Sequence, residues 1–512
     1  MLVKTYGAAL HGIDAITITI EVNISKGINM HMVGLPDNAV KESQQRIHTA
    51  LINNNYKMPG RKIVINMAPA DIRKEGSAYD LPIALGILGA STQVNSDKFS
   101  DYIIMGELSL DGSLKRIKGA LPIAIEAREK GFKGIILPKE NANEAAIVNN
   151  LDVYGAENLE EVVKFFDEGE YLEKFAIDTR DEFFNRLDNY EFDFEDVKGQ
   201  ENIKRALEIT AAGGHNAIMI GPPGSGKTML AKRLPSILPP LNLYEALETT
   251  KIHSVAGLMS PNDSLISVRP FRSPHHTISD VALVGGGTYP QPGEISLAHH
   301  GVLFLDELPE FKRTVLEVMR QPMENRSITI SRAKFTVEYP ASFMLIASMN
   351  PCPCGYYNHP EKACVCGPGV VQKYLNKISG PLLDRIDLHV EVTPVPFREL
   401  SKIRKSEKSS EVRKRVIAAR KIQEERFKDV EGVYANAQMS PKLLREHCVI
   451  DDEGQELLKM AMEKLGLSAR AYDRILKVSR TIADLDASSN INNDHLSEAI
   501  QYRSLDRDEW GS

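Results

Sequence analysis

The sequence predicts an α/β fold, with an α+β domain in front of it and a helical domain behind. Three observations lead there. The apolar run Ala217-Ile218-Met219-Ile220 passes into a glycine-rich turn and then into helix-forming Met229-Leu230-Ala231-Lys232-Arg233-Leu234, the strand–loop–helix order of a parallel sheet. Two further apolar runs, Val302-Leu303-Phe304-Leu305 and Phe343-Met344-Leu345-Ile346-Ala347, also read as buried strands and end in polar residues. The chain before residue 165 mixes strand and helix patterns, whereas the chain after about residue 397 reads as helix.

The composition is ordinary for a globular chain, with 42% hydrophobic and 26% charged residues among 512. A net charge of −7 excludes a global basic field, so any nucleic-acid contact must come from local patches. No run approaches the ~18 apolar residues of a membrane-spanning helix. The opening Met1-Leu2-Val3-Lys4-Thr5-Tyr6 lacks the apolar core of a secretion signal, so a cytoplasmic location is expected. Four of the five cysteines lie between Cys352 and Cys366. In a reducing compartment, such a cluster points to metal rather than to disulfides.

In chain order, residues 1–165 form the first domain. Ala15-Ile16-Thr17-Ile18-Thr19-Ile20-Glu21-Val22 alternates with period two, as a half-buried strand does. Lys62-Ile63-Val64-Ile65-Asn66-Met67 is a second strand, and residues 81–88 are a helix. Residues 106–114 are a hairpin around Asp111-Gly112. A helix over 120–130 and a strand over 134–138 follow. This run, with Ile135-Ile136-Leu137-Pro138-Lys139-Glu140-Asn141, is similar to the proteolytic domain of Lon proteases, which has a ribosomal S5-like fold. That family uses a Ser–Lys dyad. Its serine position falls here on Ala78, in Glu75-Gly76-Ser77-Ala78, with Ser77 one place away, and its lysine position falls on Leu121. Without the amine, no base activates a serine. The resemblance therefore implies a Lon-like fold without peptidase chemistry, used for assembly or partner binding. Residues 166–196 are rich in Asp, Glu and Phe and read as an acidic linker with aromatic anchors, or equally as a short helix packed on the next domain.

Residues 197–394 form the α/β core. Gly221-Pro222-Pro223-Gly224-Ser225-Gly226-Lys227-Thr228 fits G-x-x-x-x-G-K-[ST], whose glycines turn backbone N–H groups inward around a triphosphate at a helix N-terminus. Lys227 would reach the β- and γ-phosphates, and Thr228 would ligate Mg²⁺. Asp306 and Glu307 end the strand 302–305 in the Walker B pattern. Asp306 would hold Mg²⁺ through its water shell, and Glu307 would orient the attacking water. Asn350 ends the strand 343–349. Residues 280–293, with Gly285-Gly286-Gly287 and nearby prolines, read as an irregular, mobile loop. Residues 326–339 alternate on either side of a basic tip at Arg332 and Lys334 and predict a β-hairpin. Cys352, Cys354, Cys364 and Cys366, as C-x-C and C-x-C, could close a tetrahedral zinc site, with His359 as a substitute ligand. His275 and His276 are read as hydrogen-bonded beside a Ser-capped helix start rather than as metal ligands. From Phe397 to Asp429, Lys and Arg outnumber Asp and Glu, giving a basic helical face. Residues 395–512 form the helical lid, in which Ser468 starts a helix with an apolar stripe.

Gly199-Gln200, the phosphate loop, Asp306-Glu307 and Gly380-Pro381-Leu382-Leu383-Asp384-Arg385 resemble the AAA+ P-loop NTPases, in the branch of magnesium chelatase and the minichromosome-maintenance helicases. The resemblance gives Asn350 the sensor-1 role and makes Arg385 an arginine finger acting on ATP held by a neighbouring subunit. It gives Arg470 the sensor-2 role in the lid, and makes Arg332 and Lys334 DNA contacts lining a pore. Taken whole, the chain resembles the YifB/ComM family of magnesium-chelatase-like AAA+ ATPases. That implies an ATP- and Mg²⁺-dependent homo-oligomeric ring, with six subunits expected, acting on single-stranded or branched DNA as a helicase in recombination during natural transformation. A motor subunit for metal insertion into a tetrapyrrole is the alternative, although those motors work with an integrin-like partner and without a Lon-like domain.

Overall fold

The computed structural model describes residues 1–169, 171–185, 190–287, 290–332, 335–357, 359, 361–394 and 406–503. The chain forms two compact units that are not continuous in sequence. The first comprises Met1–Leu187, Asn242–Ser267 and Ser331–Val337, and the second comprises Asp188–Leu241, Val268–Ile330 and Glu338–Ser512.

The first unit is built on a mixed sheet. Its strands are β1 (Leu2–His11), β2 (Asp14–Ser25), β3 (Met30–Val33), β4 (Lys62–Ala68), β5 (Tyr102–Ile104), β8 (Gly134–Pro138), β9 (Asp152–Ala156) and β10 (Glu173–Phe175), in the order β10-β9-β8-β5-β1-β2-β4-β3. The alternation read in β2 reflects real burial, because Ile18, Ile20 and Val22 are fully enclosed. The helix Asp80–Ala90 is buried on every side, which is why it is apolar after Asp80, whose carboxylate pairs with Arg46. The Asp-Gly hairpin forms as expected, with β6 (Glu107–Leu108) pairing β7 (Leu114–Lys115) and Gly112 at φ 89°. Leu121 is a core residue, and the Ser77 hydroxyl donates to Glu107. The stretch read as a linker contributes β10 and the helix Thr179–Asn185, with Phe183 buried. The helix Leu243–Ala256, started by an Asn242–Glu245 capping box, also belongs to this unit. There the Gly119 N–H donates to the Ser254 carbonyl at 3.0 Å.

The second unit is built on five parallel strands: β11 (Ala217–Ile220), β12 (Phe271–Arg272), β15 (Val302–Leu305), β18 (Met344–Met349) and β19 (Leu388–Glu391), ordered β12-β15-β18-β11-β19. β18 therefore lies between the strand before the phosphate loop and the strand before Asp306. β11, β15 and β18 are buried along their whole length, so they read as continuous apolar runs.

The described residues of 280–293 are more ordered than the mobile loop expected from the glycines. The helix Asp280–Val284, capped by Ser279, leads into a ladder of β13 (Gly285–Gly286) against β14 (Gln291–Pro292). A Cβ on Gly285 would sit 2.5 Å from the Gln291 carbonyl, so the glycine serves close approach rather than mobility. The basic hairpin forms from β16 (Ser327–Arg332) and β17 (Phe335–Pro340). The C-terminal helices are Ser409–Phe427, Pro441–His447, Asp452–Leu465, Ala469–Leu485 and Asn493–Gln501. No helix among the described residues is long and apolar enough to cross a membrane.

Candidate nucleotide site and cysteine cluster

The carboxyl ends of β11, β15 and β18 bring the phosphate loop, Asp306 and Asn350 together, where ligands of open parallel sheets are bound. Gly224 and Gly226 adopt φ 76° and 88°, which lets the loop backbone curl. The helix Lys227–Arg233 starts directly from the loop. Lys227 Nζ lies 2.7 Å from the Gly221 carbonyl, 3.0 Å from the Pro222 carbonyl and 3.3 Å from Asn350 Oδ1. Burial pulls its ammonium below the usual range, while Asp306 and Glu307 work the other way. Ser225 Oγ is buried without a partner among the described residues. An orphaned hydroxyl and a buried ammonium at a helix N-terminus fit a phosphate chain.

The Thr228 hydroxyl donates to Asp306 Oδ2 at 2.7 Å. The Ser348 hydroxyl donates to the other oxygen, Oδ1. A threonine hydroxyl beside a fixed carboxylate is an oxygen-donor set suited to Mg²⁺. Glu307 sits at φ 55°, a left-handed conformation uncommon outside glycine and worth tracing to function at a site like this one. Its Oε2 lies 3.6 Å from His276 Nδ1. His275 bonds Thr277 at 2.9 Å in a turn, and the Ser-capped helix expected beside the pair starts only at Asp280, with Ser279 as its cap.

Two sequence candidates have partners outside this cluster. Arg385 holds the Pro381 carbonyl at 2.5 Å and pairs with Glu324. Arg470 is 66% exposed and pairs with Asp384 at 2.9 Å. Arg332 ends β16, and Lys334 lies outside the described residues. In the basic helix Ser409–Phe427, many cations are neutralised internally. Arg415 pairs with Glu208 and Glu407, Arg426 with Asp484, and Lys414 with Glu411.

The four cysteine sulfurs converge within 4.8 Å of one another. Cys352–Cys354 measures 3.3 Å, Cys354–Cys364 3.5 Å and Cys352–Cys364 3.7 Å. These separations are too long for disulfides at ~2.05 Å, and close to the ~3.8 Å edge of a tetrahedron with ~2.3 Å zinc–sulfur bonds. His359 stands apart from this set, its Nδ1 accepting from the Glu361 and Lys362 N–H groups at 3.1 Å each.

Sequence reasoning missed Ser348, Tyr374 and the approach of His276 to Glu307. Ser348 carried a signal, since it lies two residues before Asn350 and therefore on the same face of β18. Tyr374 is buried, with its phenol pushed up by burial and by Glu310 and Glu307, against the backbone of Asn350. Nothing in its local sequence marks it.

This fold and site define a phosphate-loop nucleotide-binding protein of AAA+ type. Family models described as "Magnesium chelatase, subunit ChlI", "Subunit ChlI of Mg-chelatase" and "Magnesium chelatase, subunit ChlI C-terminal" match residues 193–400, 20–141 and 406–503. The chain is 44% identical over 508 residues to the competence protein ComM of Haemophilus influenzae, covering 99% of this chain and 98% of that one. It is 46% identical over 498 residues to YifB of Escherichia coli, covering 97% and 96%. Similarity to the magnesium-chelatase 38 kDa subunit of Rhodobacter capsulatus is 26% over 179 residues, covering 31% of this chain and 50% of that one. The chain belongs to the YifB/ComM family of magnesium-chelatase-like AAA+ ATPases.

Proposed function

We propose that this chain is an ATP-hydrolysing, ring-forming motor acting on DNA, a helicase or branch-migration factor in recombination during natural transformation. The observation that carries the ATPase half is the meeting of Lys227, Thr228, Asp306 and Asn350 at the ends of three adjacent parallel strands. The full-length similarity to a competence protein supports the DNA half.

Bound Mg·ATP supplies the phosphoanhydride to be cleaved. The loop from Gly221 to Thr228 holds the phosphates through backbone N–H groups and Lys227. Thr228 and Asp306 hold the metal, and Ser348 fixes Asp306. Glu307 polarises water, and Asn350 senses the terminal phosphate. Arg385 reaches the site of a neighbouring subunit, and Arg470 acts from the lid. A guanidinium suits both roles because its fork spreads charge over phosphate oxygens. Arg332 and Lys334 contact the DNA backbone, and the four cysteines hold a structural zinc ion.

The test is ATP turnover with and without single-stranded, duplex and branched DNA. Lys227→Ala is expected to abolish turnover. Glu307→Gln is expected to lower kcat at least ~100-fold while nucleotide still binds. Arg332→Ala with Lys334→Ala should weaken DNA binding and DNA stimulation but leave basal turnover in place. If DNA neither binds nor stimulates the wild type, the helicase reading falls. The magnesium-chelatase family matches support a second reading, a chelatase-type motor remodelling a protein partner. That motor would turn over ATP indifferent to DNA.

A further inference from the structure

The four-cysteine loop packs directly against the phosphate loop. Gly355, inside Cys352-Pro353-Cys354-Gly355, adopts φ 83°, and a Cβ there would lie 2.4 Å from Pro223 Cδ and 2.8 Å from Pro223 Cγ. Only a glycine lets this loop come so close to the Pro223 ring. The same loop begins immediately after Asn350, the residue whose side chain meets Lys227 at 3.3 Å. Tyr374 closes the far side, buried against the Asn350 backbone and near Cys352.

The cysteine loop is irregular in backbone. Among its described residues, 351–369 contain neither helix nor strand, and Val365 is 82% exposed. Cys352 is fully buried, whereas Cys354, Cys364 and Cys366 lie nearer the surface. The loop's sulfurs nevertheless converge, and the Tyr357 N–H donates to Cys352 Sγ at 3.3 Å, a contact that orients the sulfur. In a loop without helix or strand, ligation adds order that the backbone does not supply.

We propose that a zinc ion on Cys352, Cys354, Cys364 and Cys366 acts as a strut for the nucleotide site, pressing Gly355 onto Pro223 and fixing Asn350, so that metal loading sets nucleotide affinity. This rests on the reading of the phosphate loop as the ATP site and of the cysteines as a zinc site. Loss of the ion frees the loop, and nucleotide binding must then order both the loop and Asn350, so binding weakens.

The experiment uses the full chain. Zinc is counted by elemental analysis, and the fluorescent analogue N-methylanthraniloyl-ATP is titrated into four samples. These are the protein as purified, the protein stripped with a chelator under reducing agent, the stripped protein reloaded with zinc chloride, and Gly355→Ala. One zinc per chain is expected. Stripping should weaken analogue binding about tenfold and reloading should restore it. Gly355→Ala should keep its zinc yet bind more weakly.

Failure to bind the analogue in the purified protein would overturn the nucleotide reading itself. Binding without any zinc in the preparation would overturn the zinc reading, and the strut with it. Zinc present, with affinity unchanged on stripping and far-UV circular dichroism intact, would overturn the strut alone. Should stripping unfold the chain, Gly355→Ala decides, because full zinc with unchanged affinity rejects the strut and full zinc with weakened affinity supports it.

Discussion

Asp306 is held from two sides, by Thr228 at 2.7 Å and by Ser348. A carboxylate fixed this way presents its remaining lone pairs to a metal in one orientation. Ser348→Ala removes one restraint without touching the phosphate loop. The Mg²⁺ concentration for half-maximal turnover should rise about tenfold, the usual scale for a supporting partner of a metal ligand. A magnesium titration of ATPase activity checks this. Asp387 plays a structural part on the same segment as Arg385. It is 1% exposed, bonds the Asn216 N–H at 3.0 Å, and meets Arg474 at 2.9 Å and His215 at 3.3 Å. Burial disfavours its charge, yet the Arg474 guanidinium and His215 hold its carboxyl well below the usual range. A depressed carboxyl stabilises the fold above the unfolded value of about 4 and loses that contribution as pH falls below it. Asp387→Asn should therefore cost roughly 3 kcal/mol at neutral pH, the low end for breaking a buried pair, because Arg474 is 24% exposed. Thermal melts of both proteins should converge as pH falls from 4 towards 2.

At the scale of elements, the helix Ala469–Leu485 shows how a local signal and a distant one combine. Its start was legible, because Ser468 caps it by accepting from the Ala471 N–H at 3.2 Å. Its seat was not, since Arg474 and Thr481 reach Asp387 and His215 across more than eighty residues of chain. Ser468→Ala should lower stability by about 1 kcal/mol, read as a shifted denaturant midpoint with unchanged slope. Residues 280–293 teach the converse. Three glycines suggest mobility when read alone, yet Gly285 is required by the close Gln291 carbonyl on the facing strand. That partner exists only once the ladder has formed.

At the scale of the molecule, the central prediction is that one active site needs two chains. Arg385 pairs with Glu324 within its own chain, and its proposed role requires it to exchange that partner for phosphate oxygens of a neighbour. Arg385→Ala and Glu307→Gln should each be nearly inactive. Each carries the part the other lacks, so mixing them should restore turnover well above either alone. A mixture no more active than its components would remove the trans role. The two compact units add a feature that sequence order conceals, since the segment Asn242–Ser267, inserted between the phosphate-loop helix and β12, belongs with the first unit.

By itself, the sequence determined the strand–loop–helix of the phosphate loop, the carboxylates after β15, the polar end of β18 and the family. These are local patterns, and their chemistry needs fixed residue types at fixed spacing. Tertiary structure alone decided the order β12-β15-β18-β11-β19, the meeting of Ser348 with Asp306, the approach of His276 to Glu307, and the seat of the cysteine loop on Pro223. Those depend on which distant segments become neighbours, and that is set by burial of whole strand and helix faces rather than by any local run of residues.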